Sequence, residues 1–113
     1  IQELSVSQAI LKLDAVNAVP LAFMLDAQAI DADGNVIGGI SATVDKTIKA
    51  GTLESPTVNP VQIIFTCQGK LSFEGIRLTV TADSPAEAPL NDNQYFMFDN
   101  ISLHLPEGIT YNN

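Results

Sequence analysis

The chain has no tryptophan, a single cysteine, a single histidine and only five basic residues among its 113. Each shortage closes a class of function. One thiol cannot form an intramolecular disulfide or a cysteine-based zinc site. The five cations (Lys12, Lys46, Lys49, Lys70 and Arg77) are scattered along the sequence. Neutralising nucleic-acid phosphates needs clustered Lys and Arg. A nucleic-acid partner is therefore not expected, and neither is an anionic lipid surface. No apolar run approaches the roughly 18 to 20 residues a membrane helix requires, so no transmembrane segment is expected in this chain. Because it starts at Ile1 rather than Met, it is read as a processed protein or an excised domain.

What is present is core material and negative charge. Hydrophobic residues make up 46% and charged residues 16%, and thirteen acidic side chains against five basic ones give a net charge of −8. A chain of this length fits one domain, and such a domain buries about two-thirds of its unfolded surface.

Strand signals dominate the pattern. Ile10 to Val16 alternates, with Leu11, Leu13 and Ala15 on one face and Lys12 and Asp14 on the other. Asn17-Ala-Val-Pro20 breaks that run, since proline cannot donate to a central ladder. Leu21 to Ile30 and Val36 to Val44 flank Asp31-Ala-Asp-Gly-Asn35, a turn in which Gly34 or Asn35 takes positive φ and the Asp side chains cap local amides. These two runs read as a hairpin. Lys46 to Ala50 reads as a short extended edge, and Gly51 to Pro60 as a connection without periodicity. Val61 to Thr66 is apolar on both faces, as in mid-sheet. Gln68 to Gly75 reads as a turn or one helical turn, Ile76 to Ala82 as a strand, and Asp83 to Asn93 as the longest polar connection.

The last strand, Gln94 to Leu105, changes parity part-way. Phe96 and Phe98 fall on even positions while Ile101, Leu103 and Leu105 fall on odd ones. A one-residue slip would put side chains on the wrong face, so a β-bulge or bend is predicted at Asp99-Asn100. Six or seven strands and no helix-period segment predict an all-β fold, an antiparallel β-sandwich of immunoglobulin-like type. The expected core includes Leu13, Phe23, Leu25, Ile63, Phe65, Leu78, Val80, Phe98, Ile101 and Leu103. Cys67 shares parity with Val61, Ile63 and Phe65, and is expected to be a buried thiol that resists reagents until the protein unfolds.

Candidate chemistry is sparse. Asp31, Asp33 and Asn35 open like an EF-hand loop, but that loop needs glycine at its sixth position and a bidentate Glu at its twelfth, where this chain has Ala42. Asp83, Glu87 and Asp92 form an acidic connection, the place where carboxylates from different loops could gather calcium. No other cofactor is implied. His104 shares a strand face with Ser102, and strand geometry separates such residues by about 7 Å, too far for a nucleophile–base hydrogen bond. No catalytic residues are assigned and the chain reads as a non-enzyme. For a glycan, the possible contacts are Tyr95, opposite in parity to Phe96 and Phe98, and the loop carboxylate Asp92. The second tyrosine, Tyr111, lies in the tail.

The runs Asn17-Ala-Val-Pro-Leu-Ala-Phe23, Asp31-Ala-Asp-Gly-Asn-Val-Ile37 and Leu90-Asn-Asp-Asn-Gln-Tyr-Phe96 lead into Asn100-Ile-Ser-Leu-His-Leu-Pro-Glu-Gly-Ile109. Together they resemble small β-sandwich domains in surface or secreted lipoproteins of Bacteroides-type bacteria. The matching motifs are turns and strand edges. They imply export to the cell envelope and a non-catalytic role, and they bring no functional residues with them. The expected function is therefore a structural or protein-interaction module of the bacterial envelope, with a protein partner. A small carbohydrate-binding module is the alternative.

Overall fold

The alternation around Lys12 becomes a strand of the larger sheet that is paired on both sides. A computed structural model describes residues 7–105 and the backbone of the pairs 3–4 and 111–112. Its strands are β1 (Glu3–Leu4), β2 (Gln8–Asn17), β3 (Phe23–Ile30), β4 (Ile40–Val44), β5 (Thr57–Cys67), β6 (Gly75–Ala82), β7 (Phe96–His104) and β8 (Tyr111–Asn112), and no helix occurs among the described residues. Six of these strands form two antiparallel sheets, one ordered β4-β5-β2-β7 and one of β3 with β6. The two-residue strands β1 and β8 pair with each other. The fold is all-β, a small β-sandwich, as the sequence pattern predicts.

The core lies between the sheets and follows the parity read from sequence. On β2 the odd residues Ala9, Leu11, Leu13 and Ala15 are buried, and opposite them on β5 lie Phe65, Ile63, Val61 and Asn59. Leu25, Ala27 and Ala29 of β3 close the core from the other side. Small residues on β3 face the same core as bulky ones on β5, the size complementarity that close packing requires. All five phenylalanines join this interior. Phe65 stacks on Phe73 with centroids 5.6 Å apart, while Phe23, Phe96 and Phe98 form an edge-to-face chain at 5.3 and 5.2 Å.

Two asparagines hold one end of the sandwich together. Asn17 is fully buried; its Nδ2 donates to the carbonyls of Leu21 and Lys49, and its Oδ1 accepts from the Val19 N–H. Asn59 Nδ2 donates to the Ala15 carbonyl and its Oδ1 accepts from the Lys49 N–H. Among the described residues no buried side-chain nitrogen or oxygen lacks a partner. These side chains pin the loop around Lys49 over the core, which is where Ile48 becomes fully buried.

Several expectations are corrected. The hairpin of the second and third runs does not form as a ladder. The turn itself is built as read, with Asp31 Oδ1 accepting from the amides of Asp33 and Asn35 and Gly34 at φ 84°. Beyond it β3 bridges the returning chain at Ile30–Val36, and then β4 pairs with β5. Gly39 is the reason: its φ of 88°, closed to most L residues, redirects the chain before β4 begins. Lys46 to Ala50 touches β3 through one bridge, Phe23–Ile48. Strand β5 starts at Thr57 and so absorbs the end of what reads as a connection, Pro60 included.

The expected core is too wide at one margin. Phe23, Leu78, Phe98 and Leu103 are only partly buried, Val80 is 37% exposed and Ile101 is 60% exposed. Leu71 and Phe73, read as part of a turn, are buried instead. Cys67 is half-buried at the end of β5, with Sγ 3.7 Å from the Gly69 carbonyl. It borders an open depression also lined by Gly39, Ser41, Thr66 and Gln68, so, contrary to its parity, it is not enclosed in the core.

A bulge is present one residue on from the predicted Asp99-Asn100. The pairing of β2 with β7 runs Lys12–Ser102 and then Asp14–Asp99, so Asn100 and Ile101 together oppose Leu13. Asn100 takes φ 51°, and its Nδ2 donates to Asp14 Oδ2 at 2.8 Å. Asparagine is among the few residues that accept a left-handed backbone readily.

Candidate functional site

Two surfaces of the sandwich are unusual, the outer face of the larger sheet and the free edges. On the outer face, register places side chains in rows across the strands. Val16 of β2 lies between Val58 of β5 and Met97 of β7. The Ala18 N–H donates to the Tyr95 carbonyl, continuing that pairing by two residues. Tyr95 therefore shares the outer face with Met97, and its side chain is 41% exposed. The next row is Pro60, Asp14 and Asp99, and the next is Gln62, Lys12 and Ser102. Between them lies a shallow depression of about 220 Å³ bordered by Lys12, Asp14, Asp45, Lys46, Gln62 and Asn100. This is an apolar stripe beside a polar patch of mixed charge.

Of the two proposed glycan contacts, Tyr95 is thus on a flat face. Asp92 lies at the tip of a separate turn, in which the Asn93 N–H donates to Asn91 Oδ1 and the Asn91 N–H to Gln94 Oε1. That turn is held by its own hydrogen bonds and precedes the face on which Tyr95 sits. The phenylalanines point inward, so Tyr95 is the exposed ring among the described side chains, and that of Tyr111 lies outside them. Asp83, Glu87 and Asp92 are all exposed. Among the described residues no three His, Cys, Asp or Glu side chains gather closely enough to hold a metal ion.

Ser102 and His104 are closer than the sequence geometry implies. Ser102 Oγ and His104 Nε2 are hydrogen-bonded at 2.9 Å. The spacing of about 7 Å applies to the Cα atoms of residues i and i+2, and the long imidazole leans along the strand to span it. A hydroxyl and a base are therefore joined on an exposed sheet face. Backbone N–H groups lie in the plane of a sheet, so those of β7 are not aimed above Ser102 where an oxyanion would form. Register sets Lys12 beside Ser102 and Ile10 beside His104.

The edges at β7 and β6, two of the strands that end a sheet, differ from each other. On β7 the outer edge is interrupted by the bulge at Asn100–Ile101 and carries Asp99, two devices that discourage a strand from adding there. On β6 the eight residues Gly75–Ala82 contain no proline, no bulge and no acid. Their one charge, Arg77, donates through Nη2 to the Gly34 carbonyl, so it folds back over the turn rather than guarding the edge. The Asp83 N–H donates to the Ala22 carbonyl directly across the ladder. In an antiparallel pair bonding alternates along the strand, so the odd residues of β6 bond to β3. Ile76, Leu78, Val80 and Ala82 thus turn their N–H and C=O groups to the open side, where no strand pairs with them among the described residues. Sequence reading missed this edge because edge position depends on strand order; its only local signal is an alternating run lacking proline and acids.

No helix among the described residues is long and apolar enough to cross a membrane. No family model, curated protein or solved structure matches the chain.

Proposed function

We propose that this domain is a non-catalytic structural or protein-interaction module of a bacterial cell-envelope or secreted protein. The observation that carries the reading is the unguarded edge of β6. Proteins usually blunt such an edge with charge, proline or a bulge, and an edge left bare is a template for strand addition. The resemblance to envelope lipoprotein domains supports the export half of the reading. The test is site-specific photo-crosslinking from Thr79, an exposed β6 residue, in intact cells that produce the native protein. A discrete adduct that disappears in the Val80→Pro background is expected, because that change removes an outward N–H without removing a bond to β3. Absence of any adduct from this edge and from Met97 on the outer face would end the reading.

A small carbohydrate-binding module is the second reading, favoured by one observation. Tyr95 and Met97 stand exposed on the same sheet face as the polar depression around Asp14 and Asn100, Met97 one row and Tyr95 two rows from Asp14. A ring that stacks on a sugar face next to amide and carboxylate groups is the minimum such a site needs. A glycan array run with calcium and then with EDTA decides it. A selective hit lost in Tyr95→Ala supports the module, and calcium dependence would bring Asp83, Glu87 and Asp92 back as ligands. A blank array removes the reading.

A further inference from the structure

We propose that the open edge of β6 takes up an extended segment of a partner protein, apolar at alternate positions and carrying Lys or Arg at both flanks. The inference rests on the interaction-module reading and specifies what the partner must look like.

The backbone defines the binding mode. Ile76, Leu78, Val80 and Ala82 each present one donor and one acceptor in the register of a regular ladder. A strand laid along them satisfies every one of these groups, and main-chain hydrogen bonds of this kind are indifferent to the partner's side chains. Selectivity must come from elsewhere.

The core margin supplies the first element of selectivity. The same residues that offer their amides also point their side chains toward the interior. Ile76 and Leu78 are half-buried and Val80 is 37% exposed, whereas Val61, Ile63 and Phe65 on β5 are almost completely covered. Among the described residues the smaller sheet ends at β6. Alternate residues of an added strand would fall beside Ile76, Leu78 and Val80 on the core side. Apolar side chains there gain by burial and polar ones would be stranded.

Charge supplies the second. At the Gly75 end of the edge lie Glu74 and, in the turn beside Ile30, Asp31 and Asp33; at the Ala82 end lie Asp83 and Glu87. Asp26 faces Thr79 on the neighbouring strand. The one cation of β6, Arg77, is directed at the Gly34 carbonyl. Acidic groups at both ends favour a strand whose termini are basic. They disfavour a second copy of this chain, which would bring its own net charge of −8 to the same edge.

The experiment is selection of a random peptide library, matched in length to β6, against the intact domain, followed by amide mapping by NMR with the selected peptide. The expected winners alternate apolar residues and carry Lys or Arg at both ends. They should perturb the amides of Ile76, Leu78 and Val80, and bind at least about tenfold more weakly to Val80→Pro. Raising ionic strength to about 0.5 M should weaken them further, since that screens charges beyond a few ångströms. N-methylation of the peptide along one backbone edge should abolish binding while methylation along the other leaves it, a measurement that requires no change in the protein. Winners that perturb Val16 and Met97 instead, unaffected by Val80→Pro, would overturn the edge assignment yet leave an interaction module standing. Winners with acidic flanks, or self-association of the domain through β6 in sedimentation, would overturn the assigned partner. An empty selection together with no crosslink at either surface would overturn both proposals.

Discussion

Strands β5 and β6 carry the same kind of sequence and end with different fates. Val61, Ile63 and Phe65 on one and Ile76, Leu78 and Val80 on the other are apolar at every second position and point into the same interior. Yet Ile63 and Phe65 are 0% exposed and Val80 is 37% exposed. The difference lies in the neighbours. β5 is hydrogen-bonded to β2 on one side and β4 on the other, and the opposite sheet covers its face. β6 has β3 on one side and nothing paired on the other among the described residues. Alternation fixes which face a side chain takes, and only strand order fixes how deep it goes.

The contrast can be broken most forcefully at Phe65. Removing a fully buried ring that stacks on Phe73 leaves a cavity between two sheets that cannot close over it. Phe65→Ala should lower stability by about 3 to 5 kcal/mol in urea unfolding. A loss under about 1 kcal/mol would mean that the centre of the sheet is as loosely covered as its margin.

Asn17 sharpens the same point with a polar group. It is as buried as Phe65, and its three hydrogen bonds tie the Val19–Leu21 and Lys49 segments to the end of β2. Asn17→Ala would leave two carbonyls and one amide without the side chain that satisfies them. The expected cost is about 3 kcal/mol, with urea unfolding again the measurement. Asn17→Asp keeps the acceptor for Val19 but loses both donors, so it should not rescue the fold.

What was readable in the chain follows from this division. The face of nearly every strand residue was legible, because period-two alternation is local. The bulge was legible too, since the parity change between Phe98 and Ile101 can be counted in the sequence. Depth was not: parity places Val80 and Ile101 in a core that thins out around them. Pairing partners were not legible either. Gly39 sends β4 to β5, and nothing local distinguishes that from a hairpin with β3. The buried roles of Asn17 and Asn59 were hidden because Asn17 reads as the start of a strand break and Asn59 falls in what reads as a connection. Of the surfaces, Tyr95 was found by parity, while the row of Val58, Val16 and Met97 and the bare edge of β6 needed the register and order of the strands.

A smaller effect tests the guarded edge. Asn100 holds φ 51° and bonds to Asp14, which together keep the β7 bulge in place. A β-branched residue tolerates that backbone poorly, so Asn100→Val should cost about 2 kcal/mol. Asn100→Gly accepts the backbone and loses only the exposed hydrogen bond, so it should stay within about 1 kcal/mol of the parent. If both variants behave alike, the bulge is held by its neighbours and the left-handed residue is incidental to it.

The smallest effect is expected where the comparison began. Val80→Ala removes two methyl groups from a side chain already in partial contact with water, and most of the space it vacates opens outward. Full burial of each carbon would be worth about 0.8 kcal/mol, so with the observed exposure the loss should fall below about 1 kcal/mol. The measurement should be repeated across protein concentration. A loss near 2 kcal/mol that grows with concentration would mean that a second chain covers this strand in solution. A small, concentration-independent loss would leave β6 as an edge that the isolated domain presents uncovered, and Phe65→Ala measured beside it sets the scale on which that cost is small.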